Sequence, residues 1–301
     1  MEYVLRKADL SNEIESDISK GTYEAYKESG TILSNCLEFE EKYEILILTY
    51  LDFERKIFDA TAMHMVHGLF LDPLETFDIR LALNISLMSL LTSARLYVDQ
   101  FCHLVGECVP HLNDVKKLAK SILSKEYDQN SEYRFMEQFR NHVQHYGLPI
   151  HWISSGMRWT DLSEDGLLEY SMDFGTQKSF LGENKKFKKS IINESPGEVD
   201  LKSMTRCYIE SLSKAHDAAR DLIKESVQNA RQNFEDAYSQ YRKKCADHSG
   251  SLSACIIDDQ GIIETVPLMV YLDDIRMKLQ KRNRKLVNLK KSYVTGKTKA
   301  S

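Results

Sequence analysis

Helix breakers are scarce in this chain, whose 301 residues include only five Pro and thirteen Gly. An all-β protein needs frequent turns, so this scarcity argues against that class and favours long helices. The six Cys, at positions 36, 102, 108, 207, 245 and 255, form no close pairs of the zinc-ribbon or redox type. Scattered thiols of this kind are typical of a reducing compartment, so we predict reduced cysteines and a cytoplasmic location.

Long apolar runs are missing as well. The first residues, MEYVLRKADLSNEIE, contain no signal-peptide core, and no stretch approaches the roughly eighteen apolar residues of a membrane span. We therefore expect no membrane partner. The hydrophobic content of 42% is that of an ordinary globular protein, and the length suffices for one large domain or two smaller ones.

Charge is unevenly distributed along the chain. Residues 275–301 contain ten Lys or Arg and no acid, so 30 of the 40 basic residues remain against 45 acidic ones, which gives residues 1–274 a charge of −15. A basic tail suits phosphate backbones, acidic membranes or the acidic body of a partner subunit, and equally a solvated terminal helix. For RNA, the contacts that we expect from this tail are Arg282, Arg284 and Lys285.

Apolar residues recur every three or four positions along the first half of the chain, which predicts amphipathic helices. These helices cover residues 36–67, 74–105, 110–124 and 131–146. The first two form an antiparallel pair with a short connection, and Ser131 is the predicted N-cap of the fourth. Residues 1–35 form a polar N-terminal segment of short helical or irregular structure, with Gly21 and Gly30 as breakers.

The second half of the chain changes character. Residues 150–174 are predicted to form a β-hairpin with a turn at 163–166, and residues 175–195 are predicted to form a loop. A capping box is matched by Ser195, Pro196 and Glu198, and it predicts the start of a helix over 196–245. Such a helix would be about 70 Å long. We therefore expect part of it to project or to pair with a partner chain. A small hairpin at 254–266 and a basic helix from Tyr271 follow. The sequence thus predicts a predominantly all-α bundle over 36–250, with a hairpin insertion around 150–180, and a hairpin plus basic helix or tail over 251–301.

The six residues from Arg140 to His145 lie in the last turn of the fourth predicted helix, before Gly147. Asn141 and His145 are four residues apart and share a face, whereas Arg140 lies about 140° from His145 around the helix and must reach round. Glu137 is placed to hold Arg140 or Asn141. RNA cleavage by the 2′-hydroxyl needs a base, an acid and a cation, and one His cannot easily serve both ends of an in-line displacement.

The stretch FRNHVQHYGLP resembles the signature of the HEPN superfamily: an Arg, a polar residue that is commonly Asn, and a His after four to six intervening residues. Arg140, Asn141 and His145 match it, and the resemblance covers residues 36–146 with the start of the long helix. It implies a helical bundle that acts as a homodimeric, metal-independent endoribonuclease without a cofactor. Two copies of His145 would be base and acid, two copies of Arg140 would clamp the phosphate, and Asn141 would orient the His or the phosphate. Glu137 and His142 are predicted supporting residues.

Family members of this kind are commonly restrained by a partner or activated by an infection signal. The resemblance therefore implies a toxin–antitoxin or antiviral-defence system, with an antitoxin or regulatory protein as a further partner. A different class of function is a non-catalytic helical scaffold that dimerises, or that binds a partner or a nucleotide. In that case Arg140 and His145 are ordinary residues of a surface helix.

Several other polar and aromatic residues have two interpretations. His142 and His145 could bind a metal ion together with His151, but no carboxylate or Cys lies close at ligand spacing, so we predict no metal site. Asn84 and Arg95 interrupt an apolar stripe and are either partners of the site or rim residues. Three aromatic residues of the first hairpin either stack on bases or form its own hydrophobic face, namely Trp152, Trp159 and Tyr170.

Overall fold

The computed structural model describes residues 1–7, 15–68, 73–162, 166–244 and 250–294. It is predominantly helical, with 67% helix and 16% strand, which confirms the predicted helical class. The helices are α1 (Lys20–His67), α2 (Pro73–Cys108), α3 (Val115–Gln129), α4 (Ser131–His145), α5 (Lys178–Glu183), α6 (Lys189–Glu194), α7 (Leu201–Lys244) and α8 (Tyr271–Arg282). The strands are β1 (Glu2–Lys7), β2 (Ser16–Asp17), β3 (Trp152–Trp159), β4 (Leu168–Gln177), β5 (Glu198–Asp200), β6 (Leu252–Asp258) and β7 (Gly261–Pro267).

The chain forms two compact units, and each is assembled from three separate stretches. The first unit comprises residues 1–44, 100–120 and 218–284, and the second comprises 45–99, 121–217 and 285–301. Neither unit therefore coincides with one of the predicted stretches 1–35, 36–250 and 251–301.

The first unit contains an antiparallel sheet with the strand order β2-β1-β6-β7. Strands β6 and β7 confirm the hairpin predicted at 254–266, and Gly261 at its turn has a φ of +123°, which glycine adopts without steric cost. Strand β1 joins its other edge, with Val4 opposite Cys255. The sequence analysis missed β1, because six residues with two buried apolar side chains, Val4 and Leu5, are a weak strand signal.

Helix α1 begins at Lys20, sixteen positions before the predicted start at residue 36. The hydroxyl of Ser19 accepts a hydrogen bond of 3.1 Å from the backbone N–H of Thr22, which is N-cap geometry. Gly30 is helical rather than a breaker, and a Cβ there would lie 3.6 Å from Cζ of Phe234 in α7. Burial of Tyr23 and its neighbours in this unit outweighs a propensity cost of about 1 kcal/mol for such a glycine.

The second unit contains an antiparallel sheet with the strand order β3-β4-β5. Strands β3 and β4 confirm the predicted hairpin, and the predicted turn at 163–166 lies mostly outside the described residues. Trp152 lies opposite Gly175 in this hairpin. A Cβ at Gly175 would collide with the ring of Trp152 and with the backbone oxygen of Val199, so this close approach of β3, β4 and β5 requires glycine.

The predicted loop at 175–195 is wrong in part, since α5 and α6 form there. The predicted capping box is also wrong. The hydroxyl of Ser195 donates to the carbonyl of Ile191 at 2.8 Å, at the end of α6. Asp200 is the cap of α7 instead: its Oδ1 accepts from the backbone N–H groups of Lys202 and Ser203, at 2.9 and 3.2 Å.

Helix α7 has 44 residues, and its apolar stripe is buried within the chain along its whole length, whereas part of the helix was expected to project or to pair with a partner chain. The buried residues are Tyr208, Leu212, Ala215, Ala219, Ile223, Val227, Ala230, Phe234, Ala237 and Tyr241. Helix α3 starts five residues later than predicted, after Asp114, whose φ of +58° is not helical. Helix α8 starts at the predicted Tyr271.

Helix α2 is long and apolar enough to match a membrane-spanning helix by length and composition, which the sequence analysis did not foresee. Only 39% of its most apolar 18-residue window is buried. A core helix of a globular protein can be equally long and apolar, but such a helix is mostly buried. In α2 both the buried side and much of the exposed side are apolar.

Candidate functional site

The motif lies where the sequence analysis placed it, in the last turn of α4. At the end of the helix, the backbone N–H groups of Tyr146 and Gly147 both donate to the carbonyl of His142, at 2.8 and 3.3 Å. The residue that precedes the helix as N-cap is Asn130, so the prediction of Ser131 in that place is wrong by one position. The hydroxyl of Ser131 bonds to the carboxylate of Glu132 instead, at 3.0 Å.

Arg140 points into the second unit, where its side chain is only 6% exposed. Its Nη2 lies 3.5 Å from Oε2 of Glu137, and the hydroxyl of Tyr208 donates to Oε1 of the same carboxylate at 2.6 Å. The ring of Tyr133 lies 5.2 Å from that of Tyr208. These four residues form the Glu137 cluster: Glu137, Arg140, Tyr133 and Tyr208. Within the described part of the chain, the buried Nε of Arg140 has no hydrogen-bond partner.

The two tyrosines of the Glu137 cluster are held in their protonated form. Burial raises the pKa of Tyr208 well above its usual value, and the negative charge of Glu137 adds to this effect. The pKa of Tyr133 is raised by the same two causes in the same order. Both phenols therefore act as neutral groups, and that of Tyr208 is a hydrogen-bond donor to the carboxylate.

Asn141 and His145 lie on the exposed side of α4, one turn apart. The structure therefore brings these two predicted residues to one accessible face, at the helix end. It brings Arg140 together with Glu137, as the spacing predicted, but not with His145. Within one chain, the guanidinium and the imidazole of the motif lie on different sides of the helix.

His142 is buried, and its ring lies nearly parallel to that of Phe139, with an interplanar angle of 8°. The amide Nδ2 of Asn184 lies 3.1 Å from its Nδ1, so the amide donates to the imidazole and Nδ1 is unprotonated. Burial lowers the pKa of His142, and the neighbouring His151 lowers it further. His142 thus serves as a neutral, buried residue that ties α4 to the segment after α5.

The chain that follows the motif is held by α2. The carbonyl oxygen of the Asn84 side chain accepts a hydrogen bond of 3.0 Å from the backbone N–H of Ile150, and its amide donates to the carbonyl of Arg80 at 2.9 Å. Asn84 therefore holds the segment that follows the motif, and its two hydrogen bonds go to backbone groups outside the motif. Arg95 forms an ion pair with Asp99 on the same helix.

His151 lies next to this segment. Its Nδ1 is 2.8 Å from the hydroxyl of Thr176, and its ring stacks on Phe180 with a centroid distance of 4.2 Å. Burial lowers the pKa of His151, and the positive charge of Arg80 contributes. No group of three or more His, Cys, Asp or Glu side chains among the described residues is placed to hold a metal ion.

Two of the three tail residues that were predicted to contact RNA have acidic partners within the chain. Arg282 donates to Glu44, and Nζ of Lys285 lies 3.0 Å from Asp217. Arg284 is exposed. In the second unit, the residues after Lys285 run along one side of α7: the backbone N–H groups of Leu286 and Leu289 donate to Ser213 and Glu210, at 2.8 and 3.0 Å.

The aromatic residues of the first hairpin differ in their surroundings. Trp159 is 60% exposed, whereas the ring of Tyr170 packs against that of His64 at 5.3 Å. Three contacts near the motif were not predicted from the sequence: Tyr208 with Glu137, Asn184 with His142, and Thr176 with His151. The two residues of each pair lie 71, 42 and 25 positions apart, respectively, and no local pattern signals such pairs. Compared with models of known protein families, with curated proteins and with solved structures, the chain matches none of them.

Proposed function

We propose that this protein is a metal-independent endoribonuclease of the HEPN type, built on a HEPN-like bundle, and that it cleaves RNA by attack of the 2′-hydroxyl. The observation that carries the proposal is the helix end itself: Asn141 and His145 are accessible one turn apart, and the adjacent Arg140 keeps a buried N–H without an acceptor among the described residues. A buried, unsatisfied donor is rare in native structures, and a role in binding or catalysis is one of the explanations for it.

The proposed chemistry needs two chains. His145 of one chain takes the proton of the 2′-hydroxyl and His145 of the second chain protonates the 5′-oxygen, because one imidazole cannot reach both ends of an in-line displacement. Asn141 orients the imidazole or the phosphate. The homodimer interface thereby forms one composite site from two copies of α4.

Arg140 supplies the positive charge for the phosphorane in this scheme. Its contact with Glu137 is long, at 3.5 Å, and Tyr208 holds the other oxygen of that carboxylate at 2.6 Å. Moving the guanidinium from Glu137 to a phosphate would therefore exchange one weak contact for bidentate charge-assisted hydrogen bonds, while Glu137 keeps its phenol partner. We further propose that the enzyme acts in the cytoplasm, in a toxin–antitoxin or antiviral-defence system, under the control of an antitoxin or regulatory protein.

A second candidate function is a non-catalytic helical scaffold that dimerises, or that binds a partner or a nucleotide. The specific observation in its favour is the burial of Arg140, whose side chain is 6% exposed and contacts Glu137 inside the unit. A guanidinium in this position serves the fold as well as it could serve catalysis. The scaffold hypothesis predicts no cleavage, and a loss of stability alone when Arg140 is replaced.

The deciding experiment incubates the purified chain with single-stranded RNA in EDTA. We expect cleavage, and a loss of at least about 100-fold in His145→Ala, the lower range for removing a general acid or base. His103→Ala is the matched control, because His103 is an exposed His outside the motif, and its activity should be unchanged. Arg140→Ala should be inactive while the circular dichroism spectrum is kept, and Arg140→Lys tests whether the forked guanidinium is needed.

Cleavage that persists in both His145→Ala and Arg140→Ala would exclude the proposal. The biological part is tested by expression in cells: the wild-type chain should slow growth, and His145→Ala should relieve the effect. Absence of cleavage together with normal folding would leave the scaffold function as the better explanation.

A further inference from the structure

Helix α2 carries an exposed apolar stripe in the second unit. Its large side chains recur every three or four residues from Leu74 to Met88, and Leu96 follows two turns later, so all of them lie on one side of the helix. They are Leu74, Phe77, Leu81, Ile85, Met88 and Leu96, with exposed fractions of 74%, 50%, 43%, 61%, 38% and 47%. We call these six residues the α2 stripe.

The α2 stripe is apolar without interruption by charge over its central part. Between Arg80 and Arg95, α2 contains no Asp, Glu, Lys, Arg or His. The opposite side of the helix supplies core residues of the unit, among them Leu83, Leu87 and Leu90. A helix that is apolar all round is normally buried all round, so the open side is the exposed apolar surface that marks an interaction site.

The area of the α2 stripe approaches what a stable dimer needs. At roughly 200 Å² each, the value for a fully exposed aromatic side chain, the six residues at these fractions would offer at most about 600 Å² per chain. A standard interface buries about 800 Å² on each partner. The α2 stripe alone therefore provides more than half of the surface that such an interface needs.

We propose that a second copy of this chain packs on the α2 stripe, with α2 against α2 about a twofold axis. An isologous contact places the same surface on both sides, and between Leu81 and Met88, at its centre, that surface carries no charged residue, so no unpaired ion is buried there. An anionic membrane surface fits less well. Residues 1–274 carry −15, and Arg95, at one end of the charge-free part, is paired with Asp99.

The α2 stripe also lies beside the segment that follows the motif. Asn84, the immediate neighbour of Ile85, accepts the hydrogen bond from the backbone N–H of Ile150, five residues after His145. Tyr146 and Leu148, between these points, are 54% and 53% exposed. Pairing of two α2 helices therefore brings two copies of this segment to the margin of the interface. This last step rests on the proposed function, whose dimer it assigns to a particular surface.

The test is the mass of the full chain in solution, by light scattering and sedimentation equilibrium over a range of concentrations. The chain has a mass of 34.8 kDa, and we expect twice this value for the wild type. Ile85→Glu and Met88→Lys each place a charge in the centre of the proposed contact and should weaken dimerisation by about 100-fold or more, as at interface hot spots. Both side chains are exposed, so the fold should survive.

Ile262→Glu is the matched control. Ile262 is 51% exposed, which lies between the values for Ile85 and Met88, but it belongs to β7. A charge introduced there should leave the dimer intact. A monomeric wild type, or a dimer that neither Ile85→Glu nor Met88→Lys weakens, would overturn the proposal. Binding of a monomeric wild type to phosphatidylcholine or phosphatidylserine vesicles, lost in Ile85→Glu, would identify the α2 stripe as a lipid-binding surface and would equally overturn it.

An RNA cleavage assay on the same samples separates this inference from the proposed function. A dimer that depends on the α2 stripe but cuts no RNA would uphold the interface and refute the nuclease. A nuclease that depends on His145, and whose dimer ignores Ile85→Glu, would uphold the function and refute the interface. If both are right, dilution below the dissociation constant and Ile85→Glu should reduce cleavage in parallel with the dimer.

Discussion

The hydroxyl of Tyr208 donates a hydrogen bond of 2.6 Å to Oε1 of Glu137, and this contact ties the long helix α7 to the helix that carries the motif. Tyr208 is fully buried, and the side chain of Glu137 is 14% exposed. A carboxylate so far from water needs its hydrogen bonds, because an unpaired buried acceptor loses its hydration without compensation. The position of Arg140, which contacts the other oxygen, depends on this arrangement.

We expect Tyr208→Phe to lower the free energy of unfolding by about 2 kcal/mol, the usual cost of losing a buried hydrogen bond to a charged group. The ring is kept, so packing changes little. Urea unfolding followed by circular dichroism measures the effect. Tyr146→Phe is the control: its side chain is 54% exposed, and its loss of a hydroxyl should be close to neutral. Equal stabilities of the two variants would mean that Tyr208 does not support Glu137.

Local patterns predicted the helices and hairpins well, because their apolar periodicity is dictated by burial on one side. The start of α1 escaped prediction, since Gly21 and Gly30 look like breakers until the packing of Gly30 against Phe234 is known. The residues that contact the motif could not be predicted from the sequence, for a related reason. Whether Glu137 meets Tyr208 or solvent depends on which helices pack together, and a pair 71 residues apart in sequence leaves no local trace.

The stability of the protein should fall as the pH drops below about 6.5, the unfolded value for His, in part through His142. Burial and His151 lower its pKa in the folded state, so below the unfolded value, near 6.5, the unfolded chain binds a proton more readily. The stabilising contribution is therefore fully present above that pH and is lost as the pH falls through the folded pKa. His151, also with a lowered pKa, acts in the same direction.

Replacement of His142 by Gln should flatten this dependence. The measurement is the free energy of unfolding in urea at half-unit steps of pH, for the wild type and His142→Gln. An NMR titration of the wild type should place the midpoint of His142 below that of an unfolded peptide. Identical slopes for the two proteins, or a midpoint above the peptide value, would contradict the assignment.

A buried ion pair in the first unit should contribute strongly to the free energy of unfolding. Nε and Nη2 of Arg220 lie 2.8 and 2.6 Å from the two carboxylate oxygens of Glu40, and the side chains are 8% and 0% exposed. We expect Glu40→Gln to cost about 3–5 kcal/mol, because it removes the negative charge that faces both nitrogens of a buried guanidinium. The exposed pair of Arg158 and Glu169 is the control, and Glu169→Gln should cost less than about 1 kcal/mol. Comparable losses in both pairs, measured by urea unfolding, would show that burial does not decide the effect.

The residue that caps α7 in the structure differs from the one that the sequence pattern predicts. Ser195 fits a capping box by its spacing, but Asp200 accepts the two backbone hydrogen bonds, from Lys202 and Ser203. Asp200→Ala should therefore lower the free energy of unfolding by about 1 kcal/mol, the typical cost of losing an N-cap. Asp200→Asn is the matched variant: it keeps an oxygen acceptor and should recover most of the loss. Ser195→Ala removes only a hydroxyl that bonds to the carbonyl of Ile191, and its effect should be smaller. Urea unfolding of the three variants decides between the caps, since a larger loss in Ser195→Ala than in Asp200→Ala would mean that α7 begins where its sequence pattern suggests.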